Sequence, residues 1–147
     1  MSQSPTIPPY VNSAMKFFLR SPLHGLVSKT VLLITFTGRK SGKTYTTPVS
    51  YSQTGDQVNI FTHADWWKNM RGGTSVALRI RGQEFQGRAE PIAEDKQAIT
   101  AGLAAHLRKV PSDARYYGVT FDGQGNPRAE EVEKAVQTVV MVRVRLC

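Results

Sequence analysis

Residues 31–51 read VLLITFTGRKSGKTYTTPVSY, two segments rich in β-branched and aromatic residues on either side of a knot of glycine and positive charge. A chain that turns back so soon pairs antiparallel strands, and the pattern recurs down the sequence. TGD at 54–56 leads into QVNIFTH, and SVALRIR passes through GQ at 82–83 into EFQGRAEPI. TVVMVRVRLC alternates as a last strand. In the fourth segment Val76, Leu78 and Ile80 share one face, with Arg79 and Arg81 on the other. Pro48 cannot donate to a ladder and belongs at an edge or a bulge. Six strands, mostly in hairpins, are expected.

Helical signals separate the hairpins. AEDKQAITAGLAAHLRK at 93–109 spaces Ile99, Leu103 and Leu107 as one helical face. YVNSAMKFFLR at 10–20 predicts a short amphipathic helix ended by Ser21 and Pro22. DWWKNMRGG predicts one and a half helical turns capped by Asp65 and stopped by Gly72 and Gly73. PSDARYYGV adds a turn of helix, and RAEEVEKAVQ an acidic-first helix before the last strand. The polar, proline-rich SQSPTIPP makes 1–9 a flexible lead, with a single domain expected over 10–147. The pattern is α+β, on a mainly antiparallel sheet or small barrel with flanking helices.

Charge narrows the partners. The net charge is +8. Residues 1–81 hold ten basic and two acidic side chains, whereas 82–147 hold nine of each, so the excess lies in the first part. Such an asymmetry suits an acidic ligand, a nucleic acid or an anionic membrane surface. No secretory pattern precedes residue 10, and the apolar run 31–37 falls far short of the roughly 20 residues of a spanning helix. Cys147 is the lone cysteine, which excludes an internal disulfide and fits a reducing, cytoplasmic setting. The histidines at 24, 63 and 106 lie far apart without a carboxylate cluster, so no metal site is expected. Walker, GxGxxG, HExxH and GxSxG motifs are all missing, which argues against nucleophilic hydrolysis and metalloenzyme chemistry.

Three stretches remain as candidates. In GRKSGK, Gly38 and Gly42 permit positive φ, Arg39, Lys40 and Lys43 bring charge, and Ser41 brings a hydroxyl. Backbone N–H groups and cations so placed suit a phosphate or carboxylate. The same residues also make a solvated turn that blunts a sheet edge. In DWWKNM the adjacent Trp66 and Trp67 point about 100° apart on a helix, so one is expected in the core and the other against a cavity or flat ligand. In RYYG, Tyr116 and Tyr117 offer phenols to a carbonyl or a developing oxyanion, or pack with their hydroxyls at the surface.

Taken in order, LLITFTGRKSGKTYTTPVSY, WWKNM and HLRKVPSDARYYGV resemble the deazaflavin-dependent nitroreductase and quinone reductase family. The resemblance spans roughly residues 16–146 and implies a flavin-binding split β-barrel that uses coenzyme F420, an 8-hydroxy-5-deazaflavin. It implies hydride transfer from the reduced coenzyme to a quinone, nitroaromatic or activated enone. Arg39 and Lys40, with Ser41 and Lys43 beside them, match the residues that hold the coenzyme's phosphate and oligoglutamate tail. Pro48, Thr62, His63, Trp66 and Asn69 match positions near the deazaflavin ring, and Tyr116 matches a tyrosine at the acceptor. The segment between Thr62 and Trp66 is shorter than in the quinone reductases, and Tyr45 stands where a second arginine is common. The absence of a side-chain nucleophile agrees with a cofactor that carries the chemistry.

The alternatives are an FMN-, FAD- or haem-binding split barrel and, from another class, a basic nucleic-acid module. Against the latter, aromatic and basic residues do not interleave along one strand face, so no nucleic-acid partner is expected. The resemblance further implies a homodimer. The 10–20 helix, with two basic residues, would give at most weak peripheral contact with a membrane.

Overall fold

The structure is a computed structural model that describes residues 30–147. The expected lead at 1–9 and helix at 10–20 lie outside the described residues. All six expected strands form: β1 (Val31–Thr37), β2 (Thr44–Thr54), β3 (Gln57–Thr62), β4 (Thr74–Ile80), β5 (Gln83–Ile92) and β6 (Val140–Leu146). They close into an antiparallel barrel in the order β1-β2-β3-β6-β5-β4. The register places alternate residues inside: Ile34 lies opposite both Thr47 and Leu78, and Ile60 opposite both Tyr51 and Val142. Leu32, Ile34, Val58, Ile60, Val76, Leu78, Val142 and Val144 fill the interior. Closure removes the open sheet edges that a flat arrangement of these strands would expose.

A second core lies outside the barrel. Helix α1 (Lys96–Lys109) covers the outer side of β3 and β6, burying Ile99, Leu103 and Leu107 against Phe61 and Met141. Asp95 caps it, accepting from the Ala98 N–H at 3.0 Å. A 3-10 turn (Pro111–Asp113), the short α2 (Ala114–Tyr117), α3 (Ala129–Ala135) and a further 3-10 turn (Val136–Thr138) complete this layer. Leu78 and Leu107, one from each core, are fully buried. Truncating either to alanine would cost about 2–5 kcal/mol.

Three local expectations need correction. The segment Asp65–Met70 is a 3-10 helix, its cap position is Ala64, and no side chain caps it. Asp65 is its first residue and pairs with Lys68 at 3.6 Å instead. The β4–β5 hairpin turns at Arg81 and Gly82 rather than at Gly82 and Gln83, because Ile80 pairs with Gln83. A two-residue turn of this kind needs positive φ at both centres, and Arg81 (52°) and Gly82 (81°) supply it. Arg81 therefore does not extend the outward face of β4. Trp66 and Trp67 do not divide between core and cavity, since both are half-buried against the barrel core.

Pro48 sits as expected at an edge. It lies opposite Leu33, in the part of β2 that pairs only with β1, because β3 joins β2 only from Tyr51 onward. One side of β2 is thus left open beside the 3-10 helix and α2, and the candidate site occupies that opening.

Candidate functional site

The turn between β1 and β2 is held by its own backbone. Gly38 N–H donates to Lys43 O at 2.7 Å, Gly42 N–H donates to Gly38 O at 2.9 Å, and Lys43 N–H donates to Ser41 Oγ at 3.1 Å. A Cβ on Gly38 would stand 2.5 Å from the Tyr45 ring, so the ring packs where only glycine allows it. Ser41 Oγ and Tyr45 Oη lie 3.0 Å apart. The 3-10 helix braces the turn from the other side. Asn69 Oδ1 accepts from the Arg39 N–H at 2.9 Å, Asn69 Nδ2 donates to Trp66 O at 2.9 Å, and Arg39 Nη1 donates to Lys68 O at 3.1 Å. The Asn69 amide is thus spent at both ends on tying helix to turn.

Between turn and helix opens a cleft of about 810 Å³. Its walls include Arg39, Lys40, Ser41, Lys68 and Arg71, against a single acid, Asp65. The floor is a row of rings: Phe36 stacks on Tyr45 at 5.6 Å and 21°, and on Trp66 at 5.5 Å and 24°. Lys40 makes no ion pair or hydrogen bond among the described residues, so its ammonium is unspent. Lys43 is not in the cleft wall, unlike the other basic residues of its motif.

Trp66 also walls a second cleft, of about 580 Å³, over the open side of β2. Pro48, Thr62, His63, Tyr116 and Tyr117 line it. Thr62 Oγ1 accepts from the Ala64 N–H at 3.0 Å and fixes the chain as it leaves β3. The His63 and Tyr116 rings meet edge-on at 5.5 Å, with Tyr116 Oη 3.4 Å from His63 Nδ1. Tyr116 is 71% exposed, whereas Tyr117 is largely buried and packs edge-on against it at 5.0 Å. Burial, reinforced by the Asp113 carboxylate and by Tyr116, holds the Tyr117 phenol protonated well above the usual tyrosine range.

The structure thus brings together every expected site residue except Lys43, in two clefts that share Trp66. It also adds a polar chain that the sequence did not reveal. Asp113 Oδ2 accepts from Ser50 Oγ and lies 2.8 Å from His106 Nε2. Burial alone would raise the Asp113 pKa, but the hydrogen bonds from His106 and Ser50 outweigh it and hold the carboxyl below its ordinary value. His106 is therefore not isolated from carboxylates, as the spacing of the histidines had suggested. Its place in a helix that is apolar on the same face, seven residues before an aspartate across a Pro-containing turn, was the available signal.

In these two clefts the residues present fit a coenzyme with a flat ring system and a polyanionic arm: the unspent Lys40 ammonium, with Arg39, Lys68 and Arg71 near it, lies beside a stacked aromatic floor. No helix of the described residues is long and apolar enough to cross a membrane.

A family model described as F420H(2)-dependent quinone reductase matches residues 21–121. Among solved structures, a conserved hypothetical protein from Mycobacterium tuberculosis is similar at a TM-score of 0.56 and 16% identity, over 99% of this chain and 86% of that one. An FAD-binding protein from Mesorhizobium loti is similar at a TM-score of 0.52 and 15% identity, over 86% of this chain and 90% of that one. A protein of unknown function from Agrobacterium tumefaciens is similar at 0.54 and 15% identity over 98% of this chain, which spans 59% of that longer one. At such identities the likeness shows the fold alone, the split β-barrel of flavin-binding proteins. No curated protein matches in sequence.

Proposed function

Because the chain belongs to the F420H(2)-dependent quinone reductase family, we propose that it reduces quinones, with the coenzyme's acidic tail in the basic cleft and the acceptor in the second cleft. Reduced F420 is the family's reductant and the coenzyme of this chain. When bound, it supplies a hydride, two electrons with one proton, to the acceptor. The observation that carries the reading is the junction at Trp66, where a cationic cleft with a stacked aromatic floor meets an aromatic cleft beside the open strand.

The side chains divide the remaining work. Arg39 and Lys40, with Ser41 beside them, hold the phosphate and carboxylates of the tail. Asn69 keeps the turn in place for them by bonding the Arg39 N–H. Lys43 acts only through the local field. Pro48, Thr62, His63 and Trp66, which line the second cleft, would border the deazaflavin ring where it reaches past Trp66 to the acceptor, and would exclude water there. A quinone that takes up a hydride needs one further proton. Tyr116 Oη donates it or a hydrogen bond at the acceptor oxygen, and His63 Nδ1, 3.4 Å away, resupplies it from solvent.

Nitroaromatics and activated enones belong to the same proposal as further acceptors, since each takes a hydride and a proton. So do a single domain over 10–147, a homodimer, a cytoplasmic location and weak membrane contact by the 10–20 helix. Sedimentation and vesicle flotation test the dimer and the membrane contact.

The decisive experiment is titration of the purified protein with F420, followed by fluorescence. Saturable binding that weakens with added salt is expected. Absence of binding, or a yellow protein that holds FMN or FAD instead, would overturn the proposal.

A further inference from the structure

The second cleft contains one feature that quinone reduction does not use. Asp113 lies in its wall, the one carboxylate among residues that are otherwise aromatic, apolar or hydroxylic, save His63. Its Oδ2 is engaged by Ser50 and by His106 Nε2, while its Oδ1 has no partner among the described residues. The side chain is 23% exposed, so the group is anchored on one oxygen and open to the cleft on the other.

His106 donates to Oδ2 through Nε2 from the buried side, under Phe61, whose ring lies 5.1 Å away. Both bonds to the carboxylate thus end on Oδ2, and Oδ1 is the oxygen left to meet a ligand.

Rings line the same cleft. Tyr117 meets Tyr116 at 5.0 Å and His63 at 5.7 Å, and Trp66 lines the cleft with them. A carboxylate among electron-rich rings is the arrangement that receives an organic cation, by charge and by the attraction of a cation to π-faces. The two clefts are therefore opposite in sign, basic on the coenzyme side and acidic on the acceptor side.

We propose that the second cleft selects flat aromatic acceptors that carry a positive charge or an N–H donor beside the reducible ring, with Asp113 as the specificity-determining residue and Tyr116, Tyr117 and Trp66 as the cage. The inference rests on the reading of this cleft as the acceptor site, but the binding it predicts needs no coenzyme.

The test is calorimetric titration of the full chain, without F420, using N-methylquinolinium and, at pH 8, neutral 8-methylquinoline, two flat bicyclic probes that each carry one methyl on the ring system. The cation is expected to bind about ten-fold more tightly. Asp113→Asn should bring the two within about two-fold of each other. Tyr116→Ala, which removes an exposed side chain and spares the core, should cost the cation about three-fold and keeps the proposal testable if the Asp113 variant does not fold. Equal affinity for the two probes would overturn it, as would a cation preference that survives both substitutions. Protein that shows this preference yet fails to bind F420 keeps the cation site and loses the coenzyme reading. Protein that binds F420 without the preference loses the inference alone.

Discussion

The two clefts that meet at Trp66 are built by opposite means. The basic cleft is local: residues 38–43 form a self-bonded turn, and a six-residue 3-10 helix is tied to it through the Asn69 side chain and the Lys68 carbonyl, both bonded to Arg39. Its cations remain extended at the surface, where solvent screens them and where a flexible polyanion can be met without burying charge. The second cleft is assembled from the open stretch of β2, the end of β3 and α2, and its charged group is partly buried and bonded from two elements. A surface of the first kind suits a long acidic arm that needs grip more than shape. A surface of the second kind suits a small ring that must be held at one angle.

Trp66→Ala should erase the comparison, because that side chain walls both clefts and stacks on Phe36. Losing a half-buried indole should cost about 3 kcal/mol of stability, toward the low end for such truncations, and chemical denaturation would measure it. Coenzyme affinity and acceptor KM should worsen together.

Lys40→Ala should separate the clefts. Coenzyme binding should weaken by about 1–3 kcal/mol, and its salt dependence should become shallower, while the melting temperature stays put. Lys43→Ala is the control, because Lys43 lies outside the cleft wall. It should shift affinity far less. Equal losses for the two lysines would mean that the turn acts only as a diffuse field.

Tyr116→Phe probes the other side. The phenol is exposed, so stability should change by less than about 0.5 kcal/mol. Turnover with a quinone should fall about ten-fold at unchanged coenzyme affinity if the hydroxyl supplies a hydrogen bond to the acceptor oxygen. A fall in coenzyme affinity instead would place the ring of the coenzyme, rather than the acceptor, against Tyr116.

The difference in construction also explains what could be read in advance. The strands were legible because inward and outward residues alternate along β1 and β4, and β3 and β6 depart from that period where Phe61 and Met141 face the outer helical layer. The basic turn was legible because its residues are consecutive. The 3-10 character of 65–70 was not, since its tie to the turn joins Asn69 to Arg39, thirty residues earlier. Nor was the place of Arg81 in a tight turn, which the register of β4 against β5 decides. The Asp113 chain was the least accessible. Ser50 is 63 residues from Asp113, and only the packing of α1 and its following turn against β2 brings them together.

That chain sets a modest expected effect and the one with the clearest pH signature. The Asp113 carboxyl titrates below its ordinary value in the folded protein, because the bonds from His106 and Ser50 to the charged form outweigh the cost of burial. A group depressed in this way binds its proton more readily in the unfolded chain. Its contribution is therefore fully present above the unfolded value, near pH 4, and is lost as the pH falls through the lower folded value. Asp113→Asn should cost about 1 kcal/mol at pH 7, the worth of a hydrogen-bonded charge in a partly exposed position. The wild type should lose this advantage between pH 4 and lower pH, so that the two unfolding curves converge in acid. Urea midpoints measured at pH 7, 4 and 3 decide the matter. A gap that stays constant over that range would assign the cost to a changed shape of the pocket wall. A gap that closes would assign it to the carboxylate, the same negative charge that distinguishes this cleft from its basic neighbour.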